Sequence, residues 1–309
     1  MMIEKNFLVK LVESKNPIEV IWNKLNEIWK FGRVKKLNNI EQLYLEREKK
    51  SCKFEEMLSK IFFEIYDELI ENSTRNIFLK KISRKNDEAI IIMDGFSIRE
   101  INLLFTQLKS EKYAIDDYFY SFSALPSTTE IARKAFYQDF FSVTRKEDVE
   151  RLPSIPEKII WCAMPDILLH SKQKGRIELL SLDDCLKKTF DTLFSIVDKI
   201  EVEEILITSD HGYLYFPEYG TWWDTTSGIE KVLRRIFGGE RFKEVSKLDE
   251  KMLKILEKLS KDGYVTEIKD YVLVKGRWFW SSKGRFSPIF HGGLSFMECL
   301  IPVIKLRRM

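Results

Sequence analysis

The sequence predicts an α/β fold, in which a mainly parallel sheet is flanked by helices and preceded by a helical N-terminal region. Three short apolar runs predict strands in "EAIIIMDGF", "KIIWCAMPD" and "EEILITSDHG". Amphipathic segments such as "LDDCLKKTFDTLFSIVDKI" lie between these runs and show the apolar spacing of helices. Strands that alternate with helices favour a parallel sheet with helices on both faces.

Residues 1–85 predict a helical N-terminal region that precedes the α/β domain of residues 86–309. In "EVIWNKLNEIWKFG", Ile21, Leu25, Ile28 and Trp29 share one face at helical spacing, and a second apolar face runs through "FEEMLSKIFFEIYDELI". Nothing in this region suggests a reaction. We therefore expect it to act as a helical cap or as a surface that docks a protein partner.

Composition and charge restrict the class of protein. The chain has 309 residues, 44% of them hydrophobic, which is typical of a globular protein. Its 51 basic and 48 acidic residues nearly cancel, which argues against a surface built throughout to bind nucleic acid. The four cysteines form no CxxC pair, which predicts buried free thiols. No apolar run is long enough to cross a bilayer, and we expect a cytoplasmic protein without membrane contact.

The C-terminal part predicts two helices, a hairpin and a final strand. The helices are expected in "GIEKVLRRIFGG" and "LDEKMLKILEKLSKDG", the hairpin in "YVLVKGRWFWSSKGRFSP", and a helix turn and strand in "FHGGLSFMECLIPVIKL". The hairpin interleaves basic with aromatic residues, namely Lys275, Arg277, Lys283 and Arg285 with Trp278, Phe279, Trp280 and Phe286. Such residues could bind phosphates and stack bases, but alternation along a strand favours aromatics in the core and basic groups in solvent. Trp222 and Trp223 could line the substrate pocket.

Acidic and imidazole side chains follow the predicted strands, where open parallel sheets bind their ligands. Six candidate metal ligands lie at strand ends, on the following turn or at a glycine turn: Asp94, Asp166, His170, Asp210, His211 and His291. Carboxylates and imidazoles predict divalent ions, with zinc favoured and manganese as the alternative. Two such ions could hold both the attacking and the leaving oxygen of a phosphoryl transfer.

The nucleophile is sought in "FSALPSTTEIARKAF", where Ser127, Thr128 and Thr129 follow a proline and precede a helix. A hydroxyl at a helix N-terminus lies beside free backbone N–H groups that can bind phosphate. Contact with a metal ion would lower the pKa of such a hydroxyl. Taken without the metal ligands, the same pattern favours ordinary helix capping.

Five motifs in order resemble those of the alkaline phosphatase superfamily: "IIMDG", "LPSTTEIARKAF", "PDILLH", "TSDHGY" and "HGGLSFMECLIPVI". The last, with "SSKGRFSPIFHGGLS" before it, is most similar to the PglZ domain, which occurs in phage-defence systems and response-regulator proteins. The resemblance covers roughly residues 87–305 and implies an alkaline-phosphatase-like fold. It also implies a relation to nucleotide pyrophosphatase/phosphodiesterases.

The resemblance implies roles for individual residues. One metal ion would take Asp94, Asp210 and His211, and the other would take Asp166, His170 and His291. Thr129 would be the nucleophile, with Thr128 as the alternative if the register is shifted by one.

The implied activity is a two-metal phosphodiesterase that cleaves nucleotides or short oligonucleotides through a phospho-threonine intermediate. The alternative is a weakly catalytic or non-catalytic partner in a phage-defence or signalling complex. A sulfatase is less favoured, because "PSTTEIAR" offers no cysteine.

Overall fold

A six-stranded sheet forms the centre of the computed structural model, which describes residues 5–30, 40–75, 77, 87–108, 110–136, 138–171, 181–280 and 289–309. The strands of this sheet are β1 (Glu88–Met93), β2 (Tyr113–Phe122), β3 (Phe141–Val143), β4 (Ile159–Cys162), β5 (Glu204–Ser209) and β11 (Leu300–Arg308). Their order across the sheet is β2-β11-β5-β1-β4-β3. Smaller strands are β6 (Leu214–Tyr215), β7 (Phe242–Glu244), β8 (Val265–Ile268), β9 (Tyr271–Val274) and β10 (Ile289–Phe290).

The central sheet is mainly parallel, as the sequence predicts. β1 pairs in parallel with β4 and β5, and β3 pairs in parallel with β4. Only β11 runs in the opposite direction, because it pairs antiparallel with both β5 and β2. The register aligns Met93 of β1 with Ser209 of β5 and with Cys162 of β4. The carboxyl ends of the three predicted strands therefore meet at one edge of the sheet.

The helices that precede the sheet are α1 (Lys5–Glu13), α2 (Pro17–Trp29), α3 (Ile40–Ile61) and α4 (Ile65–Arg75). Those that follow its first strand are α5 (Ile98–Gln107), α6 (Thr129–Ala135), α7 (Lys146–Glu150), α8 (Asp166–Ser171), α9 (Leu182–Lys199), α10 (Ser227–Phe237), α11 (Glu250–Lys261) and α12 (Phe296–Cys299). Serine and threonine side chains cap the N-termini of several helices. At the start of α5, for example, Ser97 forms a capping box with Glu100. None of the described helices is both long and apolar enough to cross a lipid bilayer.

The N-terminal helices share one apolar core with the sheet. Trp29 and Tyr44 belong to the same buried cluster as Ile91 of β1. Glu48 of α3 accepts hydrogen bonds from Arg99 and Arg277, and all three side chains are fully buried. The helical character expected of the N-terminal region is seen in α1 to α4, while the domain boundary at residues 85/86 stays a prediction.

Two parts of the fold differ from the sequence-based expectation. β2 was not predicted, since "YAIDDYFYSF" carries two acids at the sheet edge and shows no clean alternation. The hairpin expected from residue 271 onward is wrong, because β9 pairs with β8, which precedes it, and with β7. Lys269 adopts a positive φ of 53° in the tight connection between β8 and β9, a role that more often belongs to glycine or asparagine. Residues 281–288 of the expected hairpin lie outside the described residues.

Candidate active site

Three carboxylates meet where the parallel strands end. Asp94 follows β1, Asp210 follows β5, and Asp166 opens α8 shortly after β4. Backbone groups tie these ends together, since the Asp166 N–H donates to the Asp94 carbonyl at 3.0 Å and the Gly95 N–H donates to Asp210 Oδ1 at 3.1 Å. The sheet register and these two bonds hold the carboxylates in one cluster, in which Asp94 and Asp210 are buried and Asp166 is half-buried.

Thr129, the first residue of α6, reaches this cluster. Its Oγ1 donates to Asp94 Oδ1 at 2.9 Å and lies 3.1 Å from His211 Nε2. Thr128 instead caps the helix, because its Oγ1 accepts a hydrogen bond from the Ile131 N–H. Of the two threonines, Thr129 is the one whose hydroxyl faces the carboxylate and imidazole groups.

Asp166, His170 and His291 form one group of potential metal ligands, with ligand atoms all within 4.8 Å of one another. The two Nε2 atoms of the histidines lie 3.1 Å apart, and Asp166 Oδ1 lies 3.2 Å from that of His170 and 3.8 Å from that of His291. His291 Nδ1 lies 3.3 Å from the Ser127 carbonyl oxygen. Because a carbonyl only accepts, Nδ1 carries the proton and Nε2 offers its lone pair to the centre of the group.

Asp94, Asp166 and His211 form the second group within 4.8 Å. His211 Nδ1 donates to the Gly212 carbonyl at 2.9 Å, which turns Nε2 toward the carboxylates. The His211 ring stacks on that of His291 with centroids 4.3 Å apart. Asp166 belongs to both groups, so the two potential metal positions are adjacent.

Asp210 lies beside the second group with one carboxylate oxygen unsatisfied. Its Oδ1 accepts from the Gly95 and His211 N–H groups. Its Oδ2 is buried, lies 3.7 Å from His211 Nε2 and has no hydrogen-bond partner among the described residues. A buried carboxylate oxygen without a donor is costly, and a cation would satisfy it. The residues present therefore fit a divalent ion, although Asp166 takes the place in the second group that the sequence predicts for Asp210.

Negative charge is concentrated around Asp94 and His211. Burial and the charge of Asp210 raise the pKa of Asp94 above its usual value. Burial opposes protonation of His211, but the charges of Asp210, Asp94 and Asp166 raise its pKa to about 9. Crowded carboxylates of this kind attract a cation.

The other group combines a neutral imidazole with an ionised carboxylate. Burial and the neighbouring His211 lower the pKa of His291 to about 3. Burial would raise the pKa of Asp166, but the hydrogen bond with His170 and the electrostatic effect of the neighbouring histidines lower it to about 2. Neutral imidazole and ionised carboxylate are the forms that bind metals.

A buried ion pair near the site was not anticipated from the sequence. Glu298 Oε1 accepts from the Gly293 N–H at 2.8 Å and from Arg241 Nε at 3.0 Å, and its carbonyl accepts from the Gly212 N–H at 2.9 Å. It thereby holds the loops that carry His211 and His291. Its only sequence signal is an acid inside the apolar run "LSFMECLIPVI", and nothing in the sequence marks Arg241.

The basic and aromatic residues suggested for substrate lie away from the cluster or outside the described residues. Arg277 is fully buried, paired with Glu48 and bonded to the Thr221 carbonyl. Lys275 is also buried, so the expectation of solvated basic residues is wrong for both. Trp222 and Trp223 line a cavity of about 670 Å³ whose lining includes neither Thr129 nor any of the six candidate ligands. Lys283, Arg285 and Phe286 lie outside the described residues.

Comparison with known proteins gives one family match. Residues 163–306 match the family described as the BREX system PglZ alkaline phosphatase-like domain. No curated protein matches the chain. Two crystal structures of phosphonoacetate hydrolase from Sinorhizobium meliloti 1021, with phosphonoacetate and with phosphonoformate, are each similar at a TM-score of 0.31 and 16% identity, over 51% of this chain and 48% of theirs. The chain thus aligns with about half the length of that hydrolase. The match to the PglZ alkaline phosphatase-like domain agrees with the resemblance of the ordered motifs, and it covers a little under half of the chain.

Proposed function

We propose that this protein is a metal-dependent phosphoester hydrolase, and more specifically a phosphodiesterase that cleaves nucleotides or short oligonucleotides. The observation that carries the proposal is the position of Thr129 Oγ1, which lies 2.9 Å from Asp94 Oδ1 and 3.1 Å from His211 Nε2. The match to an alkaline phosphatase-like family supports the hydrolase class. The preference for diesters is supported by the resemblance of "LPSTTEIARKAF" to the phosphodiesterase branch of that superfamily.

Two divalent ions are proposed as cofactors, with zinc favoured and manganese as the alternative. Asp94, Asp210 and His211 would hold one ion, Asp166, His170 and His291 would hold the other, and Asp166 lies within reach of both. When bound, such ions would act as Lewis acids that stabilise charge on the phosphate oxygens and make the threonine hydroxyl more acidic.

The chain itself orients the nucleophile. Hydrogen bonds with Asp94 and His211 hold the Thr129 side chain in one rotamer, so little entropy is lost when it meets the phosphorus. Thr129 Oγ1 would lose its proton and form a bond to phosphorus as the bond to the leaving oxygen breaks, and the leaving group would depart with the bonding electrons and take up a proton. Water would then attack the phospho-threonine and return the free hydroxyl.

A direct test pairs elemental analysis of bound metal with hydrolysis of bis-p-nitrophenyl phosphate and p-nitrophenyl phosphate. We expect about two metal ions per chain and faster turnover of the diester. Thr129→Ala should lower turnover by roughly 10³-fold or more without loss of metal, because it removes the nucleophile but no metal ligand. Thr129→Ser should recover part of the activity.

Thr128→Ala is the matched control for this variant. It removes the cap of α6, which costs about 1 kcal/mol in unfolding free energy, and should keep most of the turnover. If Thr128→Ala abolishes turnover and Thr129→Ala does not, the nucleophile is misassigned. If no metal binds and added zinc or manganese gives no turnover, the hydrolase proposal fails.

A role in phage defence is proposed alongside the activity, since the matching family is described as part of the BREX system. A non-catalytic role in such a complex, with residues 1–85 as the docking surface, is the second candidate. Binding of a partner that survives Thr129→Ala and removal of metal would favour it. Loss of partner binding in Thr129→Ala and after removal of metal would argue against this non-catalytic role.

A further inference from the structure

The cavity lined by Trp222 and Trp223 lies apart from the candidate catalytic residues. It has a volume of about 670 Å³ and lies between α3 and the segments 219–224, 262–263 and 275–278. This volume is in the range of small-molecule sites. Its wall combines aromatic with charged residues, and the aromatic ones include Phe63, Tyr66, Trp222, Trp223 and Trp278, with Lys275 among them.

Lys275 places a cation in this wall. The residue is only 6% exposed, and its Nζ lies 4.0 Å from the centre of the Phe63 ring and 5.9 Å from that of Tyr66. No carboxylate of the described residues lies within ion-pair distance of it. Burial lowers the pKa of Lys275, and the charge of Asp67 opposes this shift. Because a buried ammonium group without an ion pair is unfavourable, an anion in the cavity would stabilise it.

Three acids line the cavity, namely Glu56, Asp224 and Asp262, and the first two have other partners close to them. Glu56 pairs with Lys60 at 2.6 Å, and Asp224 accepts a hydrogen bond from the Tyr219 hydroxyl. None of these three acids forms an ion pair with Lys275, which stays available to a ligand.

The aromatic rings offer surfaces for a flat group. Trp223 and Trp278 pack edge to face with centroids 5.2 Å apart, and Trp222 lies 4.8 Å from Phe279. Tyr219 is 72% exposed and lies 6.4 Å from Trp222, which extends the aromatic surface toward solvent. Such rings stack on flat heteroaromatic groups.

We propose that this cavity binds an anion that carries a flat aromatic ring, such as a nucleoside monophosphate. The anion would pair with Lys275, and the ring would lie among the tryptophans. The proposal is independent of the proposed hydrolase activity, because the lining of the cavity includes neither Thr129 nor any of the candidate metal ligands.

The test is isothermal titration calorimetry of the full chain with adenosine monophosphate, and with adenosine and ribose 5-phosphate as probes of the ring and the anion alone. The variants are Lys275→Met, which keeps the side-chain length but removes the charge, and Trp222→Ala. Lys258→Met, on the exposed face of α11, is the matched control. Circular dichroism and the melting temperature confirm that each variant is folded.

We expect wild type, Lys258→Met and Thr129→Ala to bind adenosine monophosphate alike. Wild type should bind one nucleotide per chain. Lys275→Met and Trp222→Ala should each lower the affinity for it by at least about 10-fold, which is about 1.4 kcal/mol. Adenosine and ribose 5-phosphate should each bind more weakly than the complete nucleotide. Equal binding by wild type and Lys275→Met, or no binding at all, would overturn the proposal.

Hydrolysis of bis-p-nitrophenyl phosphate by the same variants separates this site from the catalytic one. Lys275→Met should keep wild-type turnover. If Lys275→Met loses both turnover and nucleotide binding, the lysine belongs to the catalytic site, and the proposal of a separate site is overturned. A wild-type protein that binds the nucleotide at the lysine but hydrolyses nothing would support this inference while the proposed activity fails.

Discussion

Ser127 joins the loop that carries Thr129 to the loop that carries His291. Its Oγ accepts from the Gly292 N–H at 3.0 Å and donates to the Gly293 carbonyl at 2.9 Å. Its own carbonyl oxygen lies 3.3 Å from His291 Nδ1. Because Ser127 is fully buried, these contacts set the spacing between the hydroxyl and the imidazole.

Ser127→Ala should therefore affect both stability and metal binding. The variant leaves the Gly292 N–H and the Gly293 carbonyl without this partner, which costs about 1–3 kcal/mol in unfolding free energy. Metal affinity or turnover should fall by about 10–100-fold, which is the usual effect of removing a group that hydrogen-bonds to a metal ligand. Urea unfolding and metal titration measure the two effects. Ser260→Ala on the exposed face of α11 should change neither, and unchanged metal affinity in Ser127→Ala would contradict the positioning role.

Glu55 makes stability depend on pH. It is buried and accepts hydrogen bonds from the Phe296 N–H at 3.1 Å and the Tyr66 hydroxyl at 3.2 Å. Burial raises its pKa from 4.5 to about 7, with Arg277 opposing the shift and Glu298 adding to it. Since the folded state holds the proton more tightly, this contribution to stability is complete below pH 4.5 and is lost as pH rises through 7.

The unfolding free energy of the wild type should fall by up to about 3 kcal/mol between pH 4.5 and 8, at about 1.4 kcal/mol for each unit of pKa shift. In Glu55→Gln, which cannot ionise, the decrease should be smaller by that amount. Urea unfolding across this pH range measures both proteins. Parallel curves for the two would show that Glu55 does not titrate in this range.

At the level of elements, Gly212 lets the end of β5 pack against α12. A Cβ added there would lie 2.1 Å from the Met297 carbonyl oxygen, and the Gly212 N–H donates to the Glu298 carbonyl. The adjacent His211 is therefore positioned by a backbone contact that only glycine permits.

Gly212→Ala should destabilise the protein by a few kcal/mol, in line with overpacked cores, and displace His211. Turnover should fall further than the loss of folded protein explains. Gly228→Ala is the matched control, because nothing lies within 4 Å of its added Cβ and it stands in the first turn of α10. The control should be neutral or more stable by about 0.5–1 kcal/mol. Normal turnover in a folded Gly212→Ala protein would show that the backbone can shift without moving the imidazole.

The elements at the site follow from local sequence, while their grouping does not. β1, β4 and β5 are apolar runs followed by acids, so their parallel alignment brings Asp94 and Asp210 to one edge. The membership of Asp166 in both ligand groups depends on where α8 begins, which no pattern in the sequence fixes. The contacts of Ser127 with the glycine turn join positions more than 160 residues apart and have no local signal.

For the whole molecule, Glu48 connects three distant parts of the chain. It lies on α3 and pairs with Arg99 of α5 and with Arg277 beyond β9, all fully buried. The Arg99 guanidinium also lies over the Tyr213 ring, 4.3 Å from its centre. The N-terminal helices thus share buried charges, as well as apolar core, with the chain around the sheet.

Glu48→Ala should remove about 3–5 kcal/mol of unfolding free energy, because it leaves two buried arginines without their shared carboxylate. Urea or thermal unfolding of the full chain measures the change. Glu46→Ala, on the exposed side of the same helix, should stay within about 0.5 kcal/mol of wild type. A loss below about 1 kcal/mol in Glu48→Ala would mean that the arginines find other partners.

The position of β11 between β2 and β5 has a consequence for biosynthesis. Among the described strands β2 pairs with β11 alone, apart from an isolated bridge between Phe122 and Ile77. Residues 300–308 are translated long after residues 113–122. At roughly 5–20 residues per second, β2 waits on the order of ten seconds or more for its neighbour. Once residues 204–209 have been made, one edge of β5, the strand that leads to Asp210 and His211, is also open to other pairing partners until β11 is complete. A nascent chain stalled on the ribosome before residue 300 would therefore expose two strand edges beside an unfinished catalytic centre.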